Sequence, residues 1–526
     1  MEKALNKELN KIIGMQQSRR EFLKLLGKGI GYSALATTLP GCGGGGGSPV
    51  IPVLPTSAEY SALKRTSFGV HRDELTLIQS MGINAYLEQQ LDYQNINDGN
   101  LENTIQTLFP LPYQTPVQLL AGFPDNSQSI YTDMIAASHY RQIFSKRQLY
   151  EVMVEFWSEH FNIQLTNGLG PVLKPTDDLQ VIRTHALGNF RNLLHASASS
   201  PAMLFYLDNF FNQAAAPNEN YARELMELHT LGVNGGYTET DIKEVARCFT
   251  GWSIRFPNDQ IGNPGDFVFH PSIHDNNAKT VLQNNIPANG GQSDGTQVLD
   301  ILASHPSTAQ HIARKLCIRF ISDQPEQATI NSVAAAFTSS NGEITDTLRA
   351  LFASYEFQNI TDQKFCRPSE YLAGMVRSLA PDTAYPTDNG ALFTAALSIL
   401  GQLPFNWPTP DGHPDSQTYW NSTSGWLNRW RMSFISYATL VPSINVFQID
   451  YNAMLNGADT ITTIVDALTS SILMRPVSTA DRDHLLNWLM AETGQADNVS
   501  LPQTTIDQLA PGIAAVLVSS AYFQLR

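Results

Sequence analysis

Asn218, Asn220, Arg223, Glu224, Glu227 and His229 fall within one stretch, Pro217 to Trp252, which reads PNENYARELMELHTLGVNGGYTETDIKEVARCFTGW. On a helix of about 100° per residue, Asn220, Glu224 and Glu227 share a stripe with Arg223 on its edge. Tyr221, Leu225 and Leu228 form the apolar arc, and His229 points with that arc. Two carboxylates one turn apart, beside an amide, can bind a hard cation or do general acid–base work. The structural alternative is that Glu224 and Glu227 pair with Arg223 or with arginines elsewhere and lock helices together. With His229 on another face, the pattern is not the one in which two histidines of HExxH grip zinc, so a metalloprotease is excluded.

A second cluster, Phe269-His270-Pro271-Ser272-Ile273-His274-Asp275, places two imidazoles and a carboxylate in a loop, with Lys279 beyond. Loops on a rigid scaffold concentrate function, so His274 and Asp275 join Glu224 and Glu227 as catalytic candidates. A third, Gly401 to Trp430, holds four of the seven tryptophans with Tyr419, His413 and two aspartates. Aromatics between turn residues can stack on sugar rings or pack a loop onto helices. Trp407, Asp411 and Trp420 are therefore substrate-binding candidates together with Asn220 and Arg223. A divalent metal is the cofactor these residue types admit, through His160, His229 and His270. There is no GxSxG elbow or GxxxxGK[ST] loop, and the glycines at 43–47 lack the flanking strand and helix of a dinucleotide site.

The elements that must position these groups read as helices. In the central stretch Asn218 or Asn220 can cap the first helix and Gly232, Gly235 and Gly236 stop it. Thr238 with Asp241 forms a capping box for the second. The strongest periodicity runs from Gln148 to Asn162, with Leu149, Val152, Met153, Phe156, Trp157, His160 and Phe161 on one face. His160 on that face reads as a satisfied core histidine before it reads as a ligand. Glu151, Glu155 and Glu159 recur four apart and read as a solvated face. Further helices are expected at 73–81, 83–91, 178–198, 201–211, 295–304, 307–320, 325–339, with Pro325 in the first turn, and 344–353. Residues 92–128 are polar with scattered prolines and read as a long excursion. Arg65 reads as a helix-surface ion pair. Period-two runs are scarce, with Phe267–Phe269 among the few candidates for a strand. The expected fold is mainly α: one large multi-helix domain with long loops and little β-structure.

Formal net charge is −15, yet residues 1–41 carry seven Lys/Arg against three Asp/Glu, so removing this +4 segment leaves −15 − 4 = −19. A chain that acidic is a poor partner for nucleic acid, whose binding rests on Lys and Arg displacing counterions. Residues 1–41 read as a twin-arginine export signal: Arg19-Arg20 before Phe22-Leu23, then a weakly apolar run too short and glycine-rich to span a bilayer comfortably. Leu39-Pro40-Gly41-Cys42 resembles a lipobox, with Cys42 as the acylated residue, and 42–55 would be a flexible tether to a single helical domain at 56–526. The expected location is the periplasm or the outer-membrane or cell surface, held to the membrane through the lipid anchor only. Of four cysteines, Cys248, Cys317 and Cys366 remain, and free buried thiols are favoured over one disulfide.

The stretch from Asn218 to Trp252 is similar to the signature of a bacterial family known as the domain of unknown function numbered 1800. Leu63–Gly69, Phe156–Asn162 (FWSEHFN), Pro201–Asn209 (PAMLFYLDN) and Gly401–Asp415 resemble its other motifs. His274-Asp275 with Lys279-Thr280 resembles its HD…KT segment, although Asn276-Asn277 stands where Pro-Gly is usual. The resemblance covers about 57–526. It implies an exported protein, a sulfatase-like envelope protein as partner, and motif positions at Arg65, His160, Asn162, Asp208, Asn209, Asn218, Asn220, Arg223, Glu224, Glu227, His229, His274 and Asp275. It supplies no reaction. Two classes of function follow from the residues: a hydrolase or lyase acting on an extracellular polymer through an acidic and histidine-lined cleft, or a non-catalytic envelope scaffold in which the same residues form a buried network.

Overall fold

Gln148–His160 is the strut around which the helices gather. Its apolar face drives Leu149, Val152, Met153 and Trp157 to zero exposure, and the Trp157 indole donates to the Ala186 carbonyl at 2.9 Å. In this computed structural model the described residues are 54–122, 127–166, 168–256, 259, 262–380, 390–433 and 449–526. The expected export signal, the lipobox-like stretch with Cys42 and nearly all of the expected tether therefore lie outside the described residues. One contiguous apolar core runs from Leu54 to Leu525, with a small satellite at Leu111, Leu119, Ile130 and Val172. A core that continuous makes the body one mainly helical domain. Among the described residues the strands form two antiparallel pairs, Trp252–Ile254 with Phe267–Phe269 and Lys279–Val281 with Asn284–Ile286. None of the described helices is long and apolar enough to cross a membrane.

Most of the expected helices form close to their expected bounds: Arg72–Met81, Ile83–Leu91, Ser293–Ala303, Pro306–Phe320 and Ile344–Phe352. Four expectations fail for physical reasons. Residues 92–128 are not an irregular excursion, because Gly99–Leu108 and Pro116–Gly122 are helices. Residues 178–198 break into a π-helical turn at Asp178–Ile182, a short turn and Phe190–Ala198, with Asn189 capping the last. Pro201–Tyr206 is a shorter helix that ends at a left-handed Asp208 before a 3₁₀ turn. Pro325 precedes its helix, which runs Gln327–Ser339.

The largest correction concerns the glutamate stripe. Glu151, Glu155 and Glu159 do not face solvent: Glu151 pairs with Arg183 at 2.5 Å, Glu155 with Arg367, and Glu159 with His413 at 3.0 Å. Glu155 belongs to a buried cluster in which Glu370 meets Arg319 at 2.8 Å and Arg526 at 3.3 Å. That cluster joins Gln148–His160, Pro306–Phe320, Pro368–Leu379 and the last residue of the chain. Arg526 is held there by backbone pairing with Lys364, at 3.0 and 2.9 Å. Arg65 is likewise no surface ion pair. It is buried, donates to the Phe357 carbonyl at 2.6 Å and lies 4.0 Å from the centre of the Phe357 ring. Close approach to Pro368–Leu379 of the segment after Ala58–Thr66, the first helix of the described residues, needs two glycines: at Gly69, with φ +129°, a Cβ would stand 2.5 Å from the Gly374 Cα.

Burial opposes ionisation of Glu370, yet Arg526, Arg319 and Arg367 outweigh it and hold the carboxyl at about 2. A carboxyl lowered on folding stabilises above its unfolded value, about 4.3, and that contribution is lost as pH falls from there towards 2. Glu370→Gln leaves buried guanidinium groups uncompensated and is expected to cost about 3 kcal/mol. Urea unfolding at pH 7 and at pH 3 checks this: the gap between wild type and variant shrinks at the lower pH.

Candidate functional site

The central stretch begins as an α-helix at Asn220–Glu224 and widens into a π-helix at Leu225–Thr230. Asn218 starts it, its side-chain oxygen accepting from the Asn220 N–H at 2.9 Å. The wide turn is stabilised where Thr230 Oγ1 donates to the Leu225 carbonyl at 2.6 Å. Tyr221, Leu225, Met226 and His229 are buried, while Glu224 and Glu227 stay half-buried at the surface. Arg223 turns away to Glu239, with two bonds at 2.8 and 2.7 Å, and to Glu219. The Asn220 amide is tied to the Leu207 carbonyl at 3.2 Å. The acidic pair thus has no direct arginine partner among the described residues. Burial, then the Glu227 and Asp411 charges, push the Glu224 carboxyl above the usual range against the pull of Arg223.

Asp411 is brought to this acid pair by the 401–415 loop. Asn162 donates to the carbonyls of Trp407 and Thr409, at 3.0 and 2.7 Å, and the Leu165 N–H to the Phe405 carbonyl at 2.7 Å. Gly412, at φ +74°, passes so close to Glu159 that a Cβ would meet its carbonyl oxygen at 2.2 Å. His413 then reaches Glu159 through its backbone N–H, at 2.7 Å, and its Nδ1. Trp407 donates to Asp411 at 2.9 Å and lies 4.9 Å from the His413 ring. Trp420 is buried, donating to the Pro414 carbonyl at 2.7 Å, so it packs the loop and does not present a face. Tyr206 borders the same acids. Its hydroxyl donates to the Pro408 carbonyl at 2.9 Å, and burial, Asp411 and Glu224 push it up to about 12.

Behind the acids stands a group that periodicity did not single out. Lys315, on Pro306–Phe320, places Nζ 2.9 Å from His160 Nδ1, and His160 Nε2 donates to the His229 carbonyl at 3.1 Å. His311 donates to the Leu228 carbonyl at 3.1 Å, and both His229 and His311 have rings about 6.1 Å from that of His160. Burial and the Lys315 charge lower His229 to about 3 and His311 to about 4, so both imidazoles are neutral. The FWSEHFN motif singled out His160, but nothing local marks Lys315 or His311 as its neighbours.

The second cluster is used elsewhere. His274 is buried, with Nδ1 2.8 Å from the Thr250 carbonyl and Nε2 3.1 Å from Asp294. Lys279 binds the same Asp294 oxygen at 2.5 Å and also the Asp275 carbonyl. The Asp275 carboxyl is lowered to about 2, chiefly by its hydrogen bond from Arg247 at 2.7 Å. His274 and Lys279 therefore meet on Asp294 of the Ser293–Ala303 helix, Asp275 ties the same loop to Arg247 of the Glu239–Cys248 helix, and among the described residues neither His274 nor Asp275 is bonded to Glu224 or Glu227. His270 sits half-buried at the start of the Pro271–Ile273 turn. Among the described residues no three His, Cys, Asp or Glu side chains are placed to hold a metal ion, and both nitrogens of His160 are engaged. Cys248, Cys317 and Cys366 are free and buried.

Asp294 is the test of the structural role. Asp294→Asn leaves the Lys279 ammonium buried beside a neutral amide, and a loss of about 3 kcal/mol is expected in thermal or urea unfolding.

The family model described as "Protein of unknown function (DUF1800)" matches residues 61–525. No curated protein and no solved structure matches the chain. The match spans the whole helical body, from the Arg65 helix through the acid pair and the Trp407 loop to the buried C-terminus, and this chain belongs to the DUF1800 family.

Proposed function

We propose that the protein is an exported, lipid-anchored envelope enzyme, a hydrolase or lyase that acts on an extracellular polymer at the Glu224–Glu227–Asp411 face. The observation that carries this reading is the half-buried Glu224 carboxyl, raised by burial and by two neighbouring carboxylates without a direct cation partner. Such a group keeps its proton to a higher pH than an ordinary carboxyl and can deliver it to a leaving oxygen, with Glu227 as the second acid of the pair. Trp407 and Tyr206 give the face aromatic walls of the kind that stack on sugar rings. His274 and Asp275 take no part.

The route to the envelope rests on Arg19-Arg20 and on Cys42. A second reading, a scaffold for a partner such as a sulfatase-like envelope protein, is favoured by the exposed side chains of Tyr419, 45% exposed and 5.8 Å from the Trp407 ring, and of Leu427, 48% exposed on Thr423–Ser433.

Purified envelope polysaccharides, assayed for new chain ends, separate the two. Glu224→Gln is expected to lower turnover at least about 100-fold while leaving stability within about 0.5 kcal/mol. A general acid must be protonated, so activity falls as pH rises through the raised Glu224 value. Glu227→Gln removes a neighbouring negative charge, lowers that value and moves the falling limb to lower pH. A Glu224→Gln protein that loses its fold instead would support the scaffold.

Export is tested in cells. Arg19→Lys with Arg20→Lys is expected to hold the precursor in the cytoplasm, and Cys42→Ala to abolish incorporation of labelled palmitate.

A further inference from the structure

Lys315 is a half-buried lysine whose amine has one hydrogen-bond partner, and that partner is neutral. His160 Nε2 must be the protonated nitrogen, because it faces the His229 carbonyl, which can only accept. His160 Nδ1 therefore carries a lone pair and accepts from Lys315 Nζ at 2.9 Å. No carboxylate of the described residues forms an ion pair with Lys315. The nearby acids are committed: Glu159 to His413, Asp415 to Lys364 at 2.8 Å, and Asp411 to Trp407 and Thr409.

The other elements packed around this amine add like charge or neutral rings. His229 comes from the π-helix, and His311 and Arg314 lie on the same helix as Lys315. An ammonium here would have two further N–H groups without a carboxylate to receive them. A neutral amine spends one N–H on His160 and keeps its lone pair free.

We propose that Lys315, set in the cluster of His160, His229 and His311, is a nucleophilic amine that forms an imine with an aldehyde. The nitrogen lone pair adds to the carbonyl carbon, and the C=O π pair moves to oxygen, which is protonated to give a carbinolamine. The C–O bond then breaks, the two amine hydrogens leave with that oxygen as water, and a C=N bond remains. No oxidant or reductant enters. Burial, only partly offset by Glu159, Asp415 and Asp411, brings the amine down to about 8, in keeping with this role. The site stands apart from the acid chemistry proposed for Glu224, since it needs no carboxyl group as acid or nucleophile.

The test uses the folded wild-type protein, glycolaldehyde as the aldehyde and cyanoborohydride to trap the imine, with each lysine followed by peptide mass spectrometry between pH 6 and 10. Lys315 is expected to be labelled at least about tenfold faster than the exposed Lys243 at pH 7.5, with its rate half-maximal near 8. The Lys243 rate should still be rising near its ordinary value of about 10.4. Labelling of Lys315 at or below the Lys243 rate, or with the same pH dependence, overturns the proposal. A His160→Gln protein that remains folded, by circular dichroism, gives a second reading: loss of the rate advantage supports positioning by His160, and an unchanged rate overturns it.

Discussion

Three carboxylates on one buried helix face set the architecture. Glu151, Glu155 and Glu159 recur every turn along Gln148–His160, and each would be prohibitively costly without a partner. The partners come from different parts of the chain: Arg183 for the first, Arg367 with Arg319 for the second, and His413, through its backbone N–H and Nδ1, for the third. The helix thus fixes three neighbours through these polar contacts on one side while Trp157 and its apolar companions fix others on the opposite side. Such pairs add less net stability than an equally well-packed apolar set could, but a missing partner is heavily penalised. They therefore favour one arrangement of helices over near alternatives.

The last rung of that ladder is where structure passes into the candidate site. Glu159 holds His413, and with it the turn that carries Asp411 towards Glu224. The next residue, His160, faces the other way and holds Lys315. One helix end therefore positions an acidic group and an amine from two distant segments. The π-helical turn at Leu225–Thr230 completes the arrangement by sending His229 inwards and leaving Glu227 outside.

Local physics was legible in the sequence, and pairing across distance was not. The Thr238–Asp241 capping box forms as its spacing implies, because both partners lie within one turn. The helical wheel separates His229 from Glu224 and Glu227 correctly for the same reason, even though the turn widens. The glutamate stripe misleads because a charge spaced every four residues reads as solvent-facing unless its cations are known, and here they lie far along the chain. Arg65 misleads similarly: nothing near it announces Phe357, just as nothing near His274 announces Asp294. Lys315 escaped notice since one lysine in an amphipathic helix carries no local signal of a histidine brought in from residue 160.

A chain with only 15% charged residues that buries so many of them constrains how its polar motif positions should be read. Buried charge accounts for many of them without recourse to catalysis: Arg65 braces the first helix, His274 and Asp275 secure a strand pair, and Asn162 and Asn209 tie carbonyls. What distinguishes Glu224, Glu227 and Lys315 is that the fold brings polar atoms near the surface and leaves them without the opposite charge that completes every structural network nearby. Buried acids elsewhere, such as Glu370 and Asp98, are met by cations or by N–H and O–H donors. It is this lack of a partner, more than the residue types themselves, that supports the chemistry proposed for this face.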